Sequence, residues 1–143
     1  MPSEITVALI SVFGGIALAS ASYWLTKKHE READLRKQKL EHYKEFVYSL
    51  SGVISGESTS VGQIAFAKAC NNLNLIAPQS VITALQEYQQ EIKISNSNKN
   101  PETHNILMSK LFYEMRKDLG VSPSDQVENF RVGLWASGSS RKP

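Results

Sequence analysis

The chain has 143 residues, 16 Lys and Arg against 14 Asp and Glu, and a formal net charge of +2. So even a balance gives no electrostatic argument for a nucleic-acid partner. The single cysteine, Cys70, excludes an internal disulfide and a cysteine-based zinc site.

Residues 5–25, Ile-Thr-Val-Ala-Leu-Ile-Ser-Val-Phe-Gly-Gly-Ile-Ala-Leu-Ala-Ser-Ala-Ser-Tyr-Trp-Leu, carry no charge. About 20 apolar residues in a helix match the roughly 30 Å hydrocarbon core of a bilayer. A helix is the form that satisfies the backbone of one such segment in lipid. The rival reading is a cleaved signal peptide, because Ala19-Ser20-Ala21 is an A-x-A-like site. Against it, only Pro2, Ser3 and Glu4 separate Met1 from the apolar run, and the basic residues Lys27, Lys28 and Arg31 follow it. That asymmetry places the C-terminal side in the cytoplasm and the N-terminus outside. Tyr23 and Trp24 occupy the position of an interfacial aromatic belt, next to those three cations. Ser11, Gly15 and Ala19 recur every four residues, a spacing that lets two membrane helices approach closely.

From Lys27 to about Ser55 one long helix is expected. Its first half is charged all round and held by pairs such as Glu32 with Arg36. Then Leu40, Tyr43, Val47, Leu50 and Ile54 step by three and four, with Phe46 widening the face. The stripe needs cover, either from the rest of the chain or from a second copy. A break follows at residues 55–60, and a second helix over 61–76 carries Ile64, Phe66, Ala69, Cys70, Leu73 and Ile76. Pro78 suits the first turn of a third helix with Val81, Ile82, Leu85, Tyr88 and Ile92 inward. Residues 94–100 read as a loop. Asn100 then caps a fourth helix to Leu119, lined by Leu107, Met108, Leu111, Phe112, Met115 and Leu119 and ended by Gly120. A short amphipathic helix is expected over residues 127–135. The fold expected is therefore all-α. A transmembrane anchor (1–26) and a charged juxtamembrane stalk (27–39) precede a cytoplasmic bundle of about four helices (40–136) and a disordered tail (137–143).

Catalytic signatures are missing: no phosphate-binding loop, no nucleophile elbow and no H-E-x-x-H occur. His29, His42 and His104 stand apart among polar residues and are expected on solvated faces, as are the pairs Glu41/Glu45 and Glu87/Glu91. No cofactor, metal or small-molecule substrate is implied. Arg116, Phe130, Arg131 and Trp135 are the residue types favoured at binding hot spots and are the candidates for a protein partner. Alternatively, Trp135 caps the bundle and Arg131 pairs with Asp125 or Glu128.

Two stretches carry a resemblance. They are Trp24-Leu25-Thr26-Lys27-Lys28 leading into Leu40-Glu41-His42-Tyr43-Lys44-Glu45-Phe46, and Met115-Arg116-Lys117-Asp118-Leu119-Gly120 with residues 130–138. They resemble a group of small bacterial proteins with one N-terminal membrane helix and a helical cytoplasmic tail. The resemblance covers nearly the whole chain and implies a bacterial inner-membrane protein, with no activity or catalytic residue attached. Two functions fit these expectations. One is a non-enzymatic, membrane-anchored interaction protein, in contact with lipid and a protein partner and open to homo-oligomerisation. The other is a membrane effector, in host defence or phage exclusion, that oligomerises through Ser11, Gly15 and Ala19.

Overall fold

The computed structural model describes residues 2–53, 59–121 and 124–134. Among the described residues the chain is all-α, with helices α1 (Pro2–Leu50), α2 (Ser60–Ile76), α3 (Gln79–Ile92) and α4 (Pro101–Asp118). It divides into two compact units, Met1–Gln38 and Lys39–Pro143.

The first unit is helix alone. It holds an 18-residue window of mean hydropathy 2.0 with none of it buried, so α1 is long and apolar enough to cross a membrane. Two of its hydroxyls fold back onto the backbone: Ser11 Oγ donates to the Val7 carbonyl and Thr26 Oγ1 to that of Ser22, both at 2.9 Å. Such bonds give these two side-chain donors a partner that does not depend on water. Past the apolar run, Lys27 pairs with Glu30 at 2.7 Å and Lys28 with Glu32 at 3.9 Å. Glu32 thus reaches back one turn and not forward to Arg36, as the N-terminal tilt of helical side chains favours.

The second unit is a bundle. Tyr43, Phe46 and Leu50 of α1 meet Phe66, Ala69, Cys70 and Leu73 of α2, Val81, Ala84, Leu85 and Tyr88 of α3, and Met108, Leu111 and Met115 of α4 in one core. The Phe46 and Phe66 rings lie 5.7 Å apart. Facing pairs run in opposite senses along α3 and α4, Tyr88 with His104 and Glu87 with Lys110, so the two form an antiparallel hairpin.

Local chemistry sets the helix ends. Thr59 Oγ1 accepts from Gly62 N at 3.0 Å, and Asn100 Oδ1 accepts from Glu102 N at 2.8 Å with Pro101 as the first helical residue. Gly120, at φ 71°, closes α4 in the left-handed region.

Several expectations are corrected. α1 ends at Leu50, not near Ser55, because Gly52 N turns back to the Ser49 carbonyl at 3.0 Å. Ile54 and residues 55–58 lie outside the described residues. Leu40 is 39% exposed and Ile64 69% exposed. Ile64 and Phe66 are two residues apart, on opposite sides of a helix, and the larger ring takes the core. Pro78 is the N-cap of α3 and precedes its first turn. Residues 127–129 form a turn and residues 130–134 have no regular secondary structure, in place of the short helix. There the buried Ser109 Oγ accepts from Val132 N at 3.0 Å, a bond a fifth helix would not offer. The 137–143 tail lies outside the described residues.

The tightest point is where the turn after α1 meets the start of α2. A Cβ built on Gly52 would stand 2.5 Å from the Cα of Gly62, and one on Gly62 would stand 2.5 Å from the Cα of Gly52. Two backbones touch there, and neither has a flexible end that yields. Gly→Ala inside a helix ordinarily stabilises by up to about 1 kcal/mol. Here Gly62→Ala is expected to destabilise instead, by about 1–3 kcal/mol. Chemical denaturation of the full-length protein followed by circular dichroism measures it, and an unchanged or raised midpoint would show that the crossing is looser than described.

Candidate interaction site

One carboxylate joins the start of the second unit to the end of α4. Asp118 accepts from Lys39 Nζ at 2.8 Å through one oxygen and from Tyr43 OH at 2.7 Å through the other. The Lys39 and Asp118 side chains are only 17% and 13% exposed, so solvent screens the pair little. Asp118 is the last residue of α4, where the helix dipole alone would disfavour an anion; Lys39 supplies the missing positive charge. Burial, and then the Asp118 carboxylate beside it, pushes the Tyr43 hydroxyl far above its usual range.

Beside this clasp lies an apolar groove of ≈ 260 Å³ between α1 and α4. Tyr43 and Met115 form its buried floor. Leu40, Val47, Phe112 and Leu119 form its walls, and Lys44, Tyr48 and Arg116 also line it. Tyr48 is 75% exposed. Aromatic, Met and Arg side chains around an apolar cleft are the residue types enriched at protein interfaces.

The predicted binding residues divide. Arg116 and Phe130 come together: the guanidinium carbon sits 5.4 Å from the Phe130 ring centroid, and Nη2 pairs with Asp125 at 3.2 Å. Tyr113 adds an edge-on ring contact to Phe130 and donates to the Asp125 carbonyl at 3.2 Å. Asp125 is thus taken by Arg116, and Arg131 is exposed and donates to the Phe130 carbonyl at 2.9 Å, pairing with neither Asp125 nor Glu128. Arg116 lines the groove, whereas Phe130 locks the 124–134 segment onto α4. Trp135 lies outside the described residues. Leu40, Tyr48 and Phe112 are groove residues that sequence reasoning missed as a site, since a helical stripe looks the same whether its edge is covered or open.

In the first unit Ser11, Gly15 and Ala19 are exposed, and a Cβ on Gly15 would meet nothing within 4 Å. Lys27 Nζ lies 6.0 Å from the Tyr23 ring centroid and Lys28 Nζ 5.8 Å from that of Trp24, while Arg31 is exposed beside them.

His104 departs from the expected solvated face: it is half-buried, its ring 5.3 Å from that of Tyr88, with Nε2 3.2 Å from the Tyr88 hydroxyl. Glu87 pairs with Lys110 across the hairpin at 2.6 Å, and Glu91 accepts from Asn100 N at 2.7 Å, so both carboxylates tie the bundle together. Cys70 is 2% exposed; burial pushes its thiol up to about 11, against a lowering contact with Gln89. Burial likewise pushes Tyr88 up to about 12, with Cys70 adding to the shift. Among the described residues no group of three His, Cys, Asp or Glu is placed to hold a metal. No family model, curated protein or solved structure matches the chain.

Cys70, Tyr43 and Tyr88 all ionise later in the folded chain than in the unfolded one. Each therefore contributes stability that is complete below its unfolded pKa, 9.0 for the thiol and 10.0 for the phenols, and is lost as pH rises through the folded value. The denaturation midpoint is expected to hold to about pH 9 and to fall steadily from there to pH 12, with Tyr43→Phe flattening the upper part of the fall. Asp118→Asn is expected to cost about 2 kcal/mol at neutral pH, because it leaves the Lys39 ammonium poorly compensated.

Proposed function

We propose that this chain is a non-enzymatic, membrane-anchored helical protein whose bundle recruits a protein partner through the groove between α1 and α4. The groove is the observation that carries the proposal. It is apolar, and it is framed by two helices already locked together by Asp118, so a partner meets a surface that needs no rearrangement. An amphipathic helix laid in such a groove reads it through apolar anchors one turn apart.

Anchoring through residues 5–25 is supported by the apolar stretch of α1, by Tyr23 and Trp24 at its end and by the basic residues that follow it. The same asymmetry supports an N-terminus outside and a bundle in the cytoplasm, and the resemblance drawn from the sequence supports a bacterial inner membrane. The non-enzymatic assignment rests on the lack of catalytic patterns in the sequence.

A photo-crosslinking residue in place of Tyr48 in the full-length protein, expressed in cells, tests the proposal. A discrete crosslinked product is expected, and it should vanish when Leu40→Glu puts a charge into the groove wall while the fold, judged by circular dichroism, is kept. A product that persists in the Leu40→Glu protein, or none at all, would remove the groove as a partner site.

A further inference from the structure

The geometry points to a one-sided seat for the phosphodiester of an anionic lipid, built by Lys27, Lys28 and Arg31 over Tyr23 and Trp24. At about 100° per residue the three cations fall within roughly 100° of arc, with Trp24 inside that sector and Tyr23 about 40° beyond its Lys27 edge. All five line one surface cleft of ≈ 360 Å³, together with Glu32.

The acids stand at the edges of this face. Glu30 holds Lys27 at 2.7 Å on one side and Glu32 holds Lys28 at 3.9 Å on the other. Arg31 lies between them and enters none of the ion pairs among the described residues. Its guanidinium is the side chain best matched to two oxygens of one phosphate.

Depth agrees with this. Lys27 lies 6.0 Å from the Tyr23 centroid and Lys28 5.8 Å from that of Trp24, so both ammonium heads lean back toward the uncharged run. With residues 5–25 in hydrocarbon, the heads stand at the phosphate level of the bilayer. A signal that only orients the chain needs a number of positive charges and no common face. Convergence on one face, with the central cation left open, is what a bound headgroup requires.

This inference rests on the proposed anchoring, and the test separates the two. The full-length protein is reconstituted in phosphatidylcholine vesicles with spin-labelled phosphatidylglycerol or spin-labelled phosphatidylcholine. The motionally restricted fraction gives the relative association of each lipid. Wild type is expected to prefer phosphatidylglycerol, and Arg31→Gln to lower that preference about fivefold. The charge-preserving pair His29→Arg with Arg31→Gln moves the cation to the far side of the helix and is expected to lose as much. Equal association of both lipids with wild type, or a preference kept by the paired variant, overturns the seat and leaves the anchor standing. Millimolar inorganic phosphate is expected to leave the preference unchanged; suppression by it would assign the face to free anions and overturn the lipid. Release of the protein from the same vesicles by carbonate overturns the anchoring, and the seat with it.

Discussion

Asp118 fixes the second unit. Its two oxygens accept from two residues of α1 one turn apart, Lys39 and Tyr43, so the rotation of α1 about its own axis is set as well as its position. With that rotation fixed, Phe46 and Leu50 face the core and Leu40 and Tyr48 are left at its margin. The groove follows from this. Two helices clasped at one end by a short polar contact leave an apolar cleft along their outer seam, floored by Tyr43 and Met115. At the other end of the same stretch, the Gly52–Gly62 contact brings α2 back against the turn after α1 with no side chain between them. One carboxylate and two glycines thus hold the stretch of α1 that the core then covers.

Much of this architecture was legible in the residues. The uncharged run, the cap at Asn100, the left-handed Gly120 and the inward faces of α3 and α4 each follow from local chemistry that needs no partner far along the chain. Contacts that join distant residues were not legible. Lys39 and Asp118 each look like ordinary surface charges, and 79 positions separate them. Arg131 was the more obvious mate for Asp125 by proximity, yet Arg116 takes it, because α4 carries Arg116 to the face along which the 124–134 segment returns. The periodicity of residues 127–135 suited a helix, but the buried Ser109 offered an acceptor to Val132 N on a non-helical segment.

The same division holds for the sites. The aromatic residues ending the apolar run and the basic ones after it were recognisable from order alone, because i and i+4 neighbours on one helix need only the helix. The groove needed two helices from opposite ends of the bundle's sequence to be brought side by side. A stripe such as Leu40, Tyr43 and Val47 gives no sign in advance of which of its members a neighbour will leave bare.

The lone thiol gives the bundle a built-in clock. Cys70 is packed beside Tyr88 in the core, and both its burial and its raised ionisation keep it from acting as a thiolate while the helices stay closed. An alkylating reagent therefore marks the chain only during the moments when α2 comes away from its neighbours. The pace of labelling in living cells then counts those openings, and any occupant that tightens the bundle will slow the count.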